Sequence, residues 1–211
     1  MNERLYWGLP AIASIAGTLA VVALVLTGHS LGSLSSHMAM HIALMNVVAP
    51  VVAIELAERL RPLSSAVFWL IATLQIAALW FWHLPAVQAA TASSGGALLM
   101  HGSLFAVALL FWTGMLQMRG PGRWQAILGL IITGKLSCLL AALLIFSPRF
   151  LYTSHHHVTS IEDQQLAGLL MITACPVSYV LAGIVIAASM AGVLPGSNPM
   201  SKPVSKHART A

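Results

Sequence analysis

Six apolar stretches of about twenty residues, joined by short polar connectors, constrain this chain more than any other feature: 9–27, 37–56, 66–83, 97–118, 126–147 and 166–191. A hydrocarbon core of about 30 Å is crossed by about twenty helical residues rising about 1.5 Å each. Backbone polar groups inside that core must pair within their own segment, so each stretch reads as a helix. The strict apolar-polar alternation of a transmembrane barrel is absent. The expected fold is therefore all-α, a polytopic transmembrane bundle of about six helices. Composition agrees: 58% of the 211 residues are hydrophobic and 7% charged, where a soluble domain carries about 25% charged residues. Pro50 and Pro176 fall inside spans, where a kink is expected and neighbouring helices can satisfy the freed carbonyls. Arg4 precedes the first stretch as in a signal peptide, but the apolar run exceeds the usual length and no small-x-small site follows, so it reads as a retained anchor. Residues 1–195 are expected to form one transmembrane domain and 196–211 a basic, disordered tail.

Basic residues set the orientation, because positively charged loops resist translocation. Arg4, Arg59, Arg61, Arg119, Arg123, Lys202, Lys206 and Arg209 all fall on one side of this topology, whereas segments 28–36, 84–96 and 148–165 carry only Arg149. Both termini are expected in the cytoplasm, with the chain a multi-pass inner-membrane protein. The net charge of +5 follows from this bias and gives no reason to propose nucleic acid as a partner; membrane lipid is the partner the composition requires.

The same topology sorts the nine histidines. His29, His37, His41, His83, His101, His155, His156 and His157 fall on the outer side, and only His207 on the inner. His37 and His83 stand at span ends, while His41 and His101 lie four residues in, about 6 Å deeper at the helical rise. His37 and His41, four apart, share a helix face. Three helices thus supply imidazoles to one thin layer, which is a common way of building a transition-metal site in a bundle. A single interfacial histidine is ordinarily a wetted polar cap; four together, on spans where ionisable groups usually face the bundle interior, point to a site. The His155–His157 triplet reads as mostly solvated, with one member at most joining.

Met38, Met40, Met45, Met100 and Met171 lie in the outer halves of their spans. Thioether sulfur suits Cu(I), but apolar filler is the first reading of each. Cys138 and Cys175 fall at one depth on adjacent spans, where a thiolate site or a disulfide competes with two separate inert cysteines, the preferred reading. Asp163 opens the sixth span; it either caps that helix, ligates metal, or orients a ligating imidazole through its second nitrogen, the last being the preferred functional role. Lys135 sits near mid-membrane and snorkels by default. Asn46 and Gln75 read as interhelical hydrogen-bonding groups, and Trp7, Trp80, Trp82, Trp124 and Tyr152 as an aromatic belt.

The run His37-Met38-Ala39-Met40-His41-Ile42-Ala43-Leu44-Met45, followed by Ala49-Pro50, resembles the second-helix signature of the CtaG family of cytochrome c oxidase assembly factors, those associated with caa-type oxidases. Trp82-His83-Leu84-Pro85, His101 and the run Asp163-Gln164-Gln165-Leu166-Ala167-Gly168-Leu169-Leu170-Met171 agree in order along residues 37–171, with Ile172 standing where the family pattern has tryptophan. The resemblance implies a bacterial membrane protein that matures a haem-copper oxidase through copper handling outside the membrane. It assigns metal-binding or structural roles to His37, His41, His83, His101 and Asp163.

The expectation is then a non-enzymatic assembly factor. A copper ion, Cu(I) favoured, is received by the periplasmic histidine layer and passed to a haem-copper oxidase subunit or a periplasmic copper chaperone. Two alternatives stand beside it: a membrane cytochrome with His41 and His101 as axial haem ligands, and a copper transporter running past Met45, Cys138, Cys175 and Lys135. Catalysis has little support, since no GxSxG, HExxH, phosphate-loop or dinucleotide pattern is present.

Overall fold

A computed structural model describes residues 32–88, 91, 93–152 and 160–192. The expected first span, 9–27, the tail over 196–211, Trp7, and His29, His155, His156, His157 and His207 lie outside the described residues. Helix α1 (Ser33–Ala43) runs through a π-helical turn (Leu44–Val48) into α2 (Ala49–Arg59). Then follow α3 (Ser65–Trp82), a short α4 (Pro85–Gln88), α5 (Ser94–Gln117), α6 (Gly122–Phe146) and α7 (Ile161–Met190). Five of the resulting helices, beginning with the continuous Leu34–Arg59 segment, are long and apolar enough to cross a membrane. Among the described residues there is no strand.

Helix starts are set by capping chemistry. Ser64, Ser93 and Ser160 each stand at an N-cap, their hydroxyls accepting from the backbone N–H groups of Val67, Gly96 and Asp163 at 3.3, 3.0 and 3.2 Å. Each satisfies one of the donors a helix start leaves unpaired, and each lies upstream of where the hydropathy rises. The helices therefore begin before the apolar stretches do, most visibly at Ile161.

Apolar packing is continuous through the bundle, with Phe68, Phe111, Met38, Ile42, Leu104, Leu130, Leu144 and Met171 almost fully buried. Lipid offers no hydrophobic drive to helix association, so close backbone approach matters. Gly168 provides it: a Cβ there would come within 2.7 Å of Ile145 Cγ1 and 2.9 Å of the Ala141 carbonyl, which locks α6 against α7.

Polar side chains tie the helices together, as expected of Asn46 and Gln75. Gln75 Nε2 donates to the Tyr179 hydroxyl at 2.9 Å, the Ser178 hydroxyl donates to Asn46 Oδ1 at 2.8 Å, and Asn46 Nδ2 reaches Cys175 Sγ at 3.6 Å. Cys138 and Cys175 are both free thiols, the first half-buried and the second buried. Two glutamines close the ends of the bundle. Gln117 accepts from Leu63 N at 3.1 Å and donates toward the Ala57 and Leu60 carbonyls; Gln164 accepts from Leu151 N at 2.8 Å and donates toward the Leu144 and Arg149 carbonyls.

The π turn follows from Pro50. In this turn the Ala49 N–H bonds to the Leu44 carbonyl, and the next donor in register would be residue 50, which as proline has none. That strands the Met45 carbonyl in the bundle interior. The indole N–H of Trp112 on α5 supplies the missing donor, at 3.0 Å. Trp112 is itself fixed by stacking on Tyr179, with ring centroids 5.5 Å apart and planes 10° from parallel. The proline yields a re-registered helix turn, with its freed carbonyl paired across helices. At Pro176, by contrast, α7 continues as a single α-helix.

Trp82 and Tyr152 do not belong to an aromatic belt. Both are buried, and each directs its donor inward, Trp82 Nε1 to Ser103 Oγ at 2.9 Å and the Tyr152 hydroxyl to the His83 carbonyl at 3.0 Å. Trp124 is exposed as a belt residue would be.

Candidate metal centre

Three helix ends meet where the histidines gather: the start of α1, the end of α3 and the start of α5. His37 and His41 lie one turn apart on α1, His83 caps the C-terminus of α3, and His101 lies in the second turn of α5. Their rings form one connected group. Centroids are 5.6 Å apart for His37 and His41, 5.0 Å for His37 and His101, 5.5 Å for His41 and His83, and 6.1 Å for His41 and His101. His37, His41 and His101 each present a ring nitrogen within 4.8 Å of the others'. An ion bound to three nitrogens at about 2.0 Å separates them by roughly 3.5 Å, so small side-chain rotations would complete the contraction.

The hydrogen bonds of the rings decide which nitrogens face the centre. His83 Nδ1 donates to the Leu79 carbonyl at 2.6 Å, and His101 Nδ1 donates to the Ala97 carbonyl at 2.8 Å. A carbonyl can only accept, so each ring is held with its proton on Nδ1 and its lone pair on Nε2. Those two Nε2 atoms and both ring nitrogens of His41 are buried without any hydrogen-bond partner. Unpaired buried polar atoms are costly and rare; four in one layer, on the residue type best suited to a transition metal, fit a metal ion. Met100 lies against an imidazole, its Sδ 3.3 Å from His37 Nε2. Met38, Met45 and Met171 are buried in the apolar core, and Met40 is 56% exposed.

Asp163 is brought to this end of the bundle but not into the imidazole group. Its carboxylate accepts from Leu34 N at 3.0 Å and from Ser35 N at 3.1 Å, and the Ser35 hydroxyl lies against the same group. These are the second and third amides of α1, the two an N-cap side chain normally satisfies. The residue at the N-cap itself is Gly32, which has no side chain to offer. Asp163 therefore caps α1 from α7, whereas capping of its own helix falls to Ser160. It stabilises the first turn of the helix that carries His37 and His41.

Sequence reasoning missed the carbonyls of Leu79 and Ala97. Each lies four residues before the histidine it orients, so the geometry of any helical histidine contains the signal. The Tyr152 contact to the His83 carbonyl and the trans cap by Asp163 span 69 and 128 or more residues respectively, and had no local signal.

Neither the curated proteins nor the solved structures gave a match to this chain. The model describing the cytochrome c oxidase caa3 assembly factor family matches residues 8–193, which includes every helix described above. The chain is thus a member of the cytochrome c oxidase caa3 assembly factor family, a multi-pass membrane protein whose polar centre is a layer of four histidines.

Proposed function

We propose that this assembly factor carries copper as cargo, accepting one ion at His37, His41, His83 and His101 and releasing it to an oxidase subunit or a periplasmic copper chaperone. The observation that carries the reading is the set of buried, unpartnered imidazole nitrogens supplied by three helices. Helix-borne backbone carbonyls orient two of the rings before any ion arrives, so little ordering remains to be done on binding. Met100 adds a thioether beside His37, and a soft sulfur among imidazoles favours Cu(I) over Zn(II) and Cu(II). His37 is only half-buried, which leaves the layer open on one side, as transfer to a partner requires. Arg59, Arg61, Arg119 and Arg123 lie at the opposite end of the bundle, and the positive-inside bias of such residues favours an outer, periplasmic location for the histidines and cytoplasmic termini. The role is one of binding and transfer, without catalysis.

The four neighbouring ring pairs, His41 and His101 among them, stand 5.0 to 6.1 Å apart and leave no slot for a porphyrin plane between their members, which favours a bare ion over haem. The test is copper content after anaerobic Cu(I) loading and desalting. Near-stoichiometric retention by the wild type, and loss in a folded variant with all four histidines changed to Ala, is the expected result. Equal, negligible copper in both would end the cargo reading.

A further inference from the structure

Lys135 stands near the middle of the 25-residue α6, roughly 16 to 20 Å from either helix end at about 1.5 Å per residue. It points outward from the described bundle. Its neighbours on that face, Ile131, Ile132 and Leu139, are 52%, 41% and 51% exposed, one turn before and one turn after it. The opposite face of the same turn, with Thr133, Gly134 and Ser137, is buried against the rest of the bundle. An ammonium is thus presented midway along a membrane-spanning helix, in the centre of an apolar stripe and farther from both helix ends than a lysine side chain extends. Charges at this depth ordinarily face the bundle interior and are paired.

Among the described residues no carboxylate stands at that depth. The chain has five acidic residues in all. Glu55 and Glu58 lie in the closing turns of α2, Glu162 and Asp163 in the first turn of α7, and Glu3 precedes the first apolar stretch. None is placed along its segment at mid-depth, and a second copy of the chain would bring the same five. Charge complementarity therefore selects a different protein.

We propose that the face of α6 centred on Lys135, with Ile131, Ile132 and Leu139, docks a transmembrane helix of the oxidase that carries a carboxylate at mid-membrane depth. The partner's carboxylate and Lys135 pair where water is excluded, while the flanking isoleucines and leucine pack against apolar side chains of the same helix. Such a contact holds the assembly factor on its client laterally, leaving the histidine layer free at the bundle end. The oxidase as partner rests on the family assignment; the docking face does not depend on copper being the cargo.

The test uses the full chain expressed with a caa3-type oxidase and purified from membranes in mild detergent, with a benzophenone side chain introduced at Leu139 and irradiated before solubilisation. The variants are Lys135→Leu and Lys135→Arg. Thermal unfolding and Cu(I) retention serve as controls, because an outward-facing leucine leaves the bundle interior untouched. The expected result is a photo-adduct between position 139 and an oxidase subunit, with co-purified oxidase falling by about tenfold or more in Lys135→Leu, as for loss of a desolvated charge pair, and staying within about twofold in Lys135→Arg. Undiminished oxidase recovery with Lys135→Leu would overturn the proposal in favour of a lipid-facing lysine. So would adducts confined to lipid or to residues 1–31 of the chain itself, or equal losses in both variants. A wild type that retains no copper yet shows the expected adduct and charge dependence would remove the cargo reading and leave the docking face standing.

Discussion

The Asp163 carboxylate occupies the space that a side chain at Gly32 would fill. A Cβ built on Gly32 would overlap the carboxyl group, and the two residues together do the work of one N-cap: Gly32 supplies the backbone position and Asp163 the acceptor. Either change should damage the same helix start. Gly32→Ala and Asp163→Ala are each expected to lower stability by about 1–2 kcal/mol, measured by thermal unfolding in detergent, and the double variant should cost less than the sum.

Asp163 also provides a test of who holds the ion. Asp163→Asn keeps one acceptor oxygen for the α1 amides, so copper stoichiometry after Cu(I) loading should stay near that of the wild type. His41→Ala, which removes the fully buried central ring, should abolish retention. Full loss of copper in a well-folded Asp163→Asn protein would instead make the carboxylate a ligand.

Met100 is expected to select the oxidation state. Met100→Leu conserves volume and burial while removing sulfur, so the fold should persist with a stability change under about 1.5 kcal/mol. Competition with a Cu(I) chelator should show weaker Cu(I) binding, by about tenfold, with Zn(II) binding little changed. Equal weakening for both ions would mean that the substitution displaced His37 and that the thioether is not a donor.

Protons compete with metal for imidazole lone pairs, so copper retention should fall as pH is lowered and recover when it is raised. The sign is fixed by chemistry: a ring protonated on both nitrogens has no lone pair to give. Dialysis of the loaded protein across a pH series, with copper measured at each step, reads this directly, and a retention curve that is flat down to mildly acidic pH in the folded protein would argue against imidazole ligation.

Trp112 and Pro50 should be energetically coupled. Trp112→Phe leaves the Met45 carbonyl buried without a donor, a cost of about 1–3 kcal/mol. Pro50→Ala restores a backbone N–H in the turn. The damage done by Trp112→Phe should therefore be smaller in the Pro50→Ala background, and a double-mutant cycle showing simple additivity would mean that the carbonyl is satisfied some other way.

Hydropathy made five helices and their order legible in the sequence. The spans expected at 37–56, 66–83, 97–118, 126–147 and 166–191 correspond to Leu34–Arg59, Ser65–Trp82, Ser94–Gln117, Gly122–Phe146 and Ile161–Met190. Each helix begins earlier than its apolar stretch because helix starts follow capping residues such as Ser93 and Ser160, while hydropathy reports only where lipid begins. The π turn was not legible, since Pro50 predicts a disturbance without saying whether it becomes a kink or a change of register. Trp82 and Tyr152 were misread for a related reason: an aromatic residue near a span end has the same composition signal whether its donor meets headgroups or, as here, Ser103 and the His83 carbonyl.

Sequence alone determined that the chain is a bundle of transmembrane helices and that His37, His41, His83 and His101 fall within a layer about one helical turn thick. Both follow from quantities that add along the chain, the transfer of apolar residues into lipid and a constant rise per residue. Which way each ring turns, which nitrogen it presents, and whether Asp163 touches the imidazoles or the amides of Leu34 and Ser35 were decided by tertiary structure. These depend on rotation of each helix about its own axis and on contacts such as Asp163 to Ser35, 128 residues apart. Depth is encoded by counting, but azimuth is set by which neighbours a helix packs against.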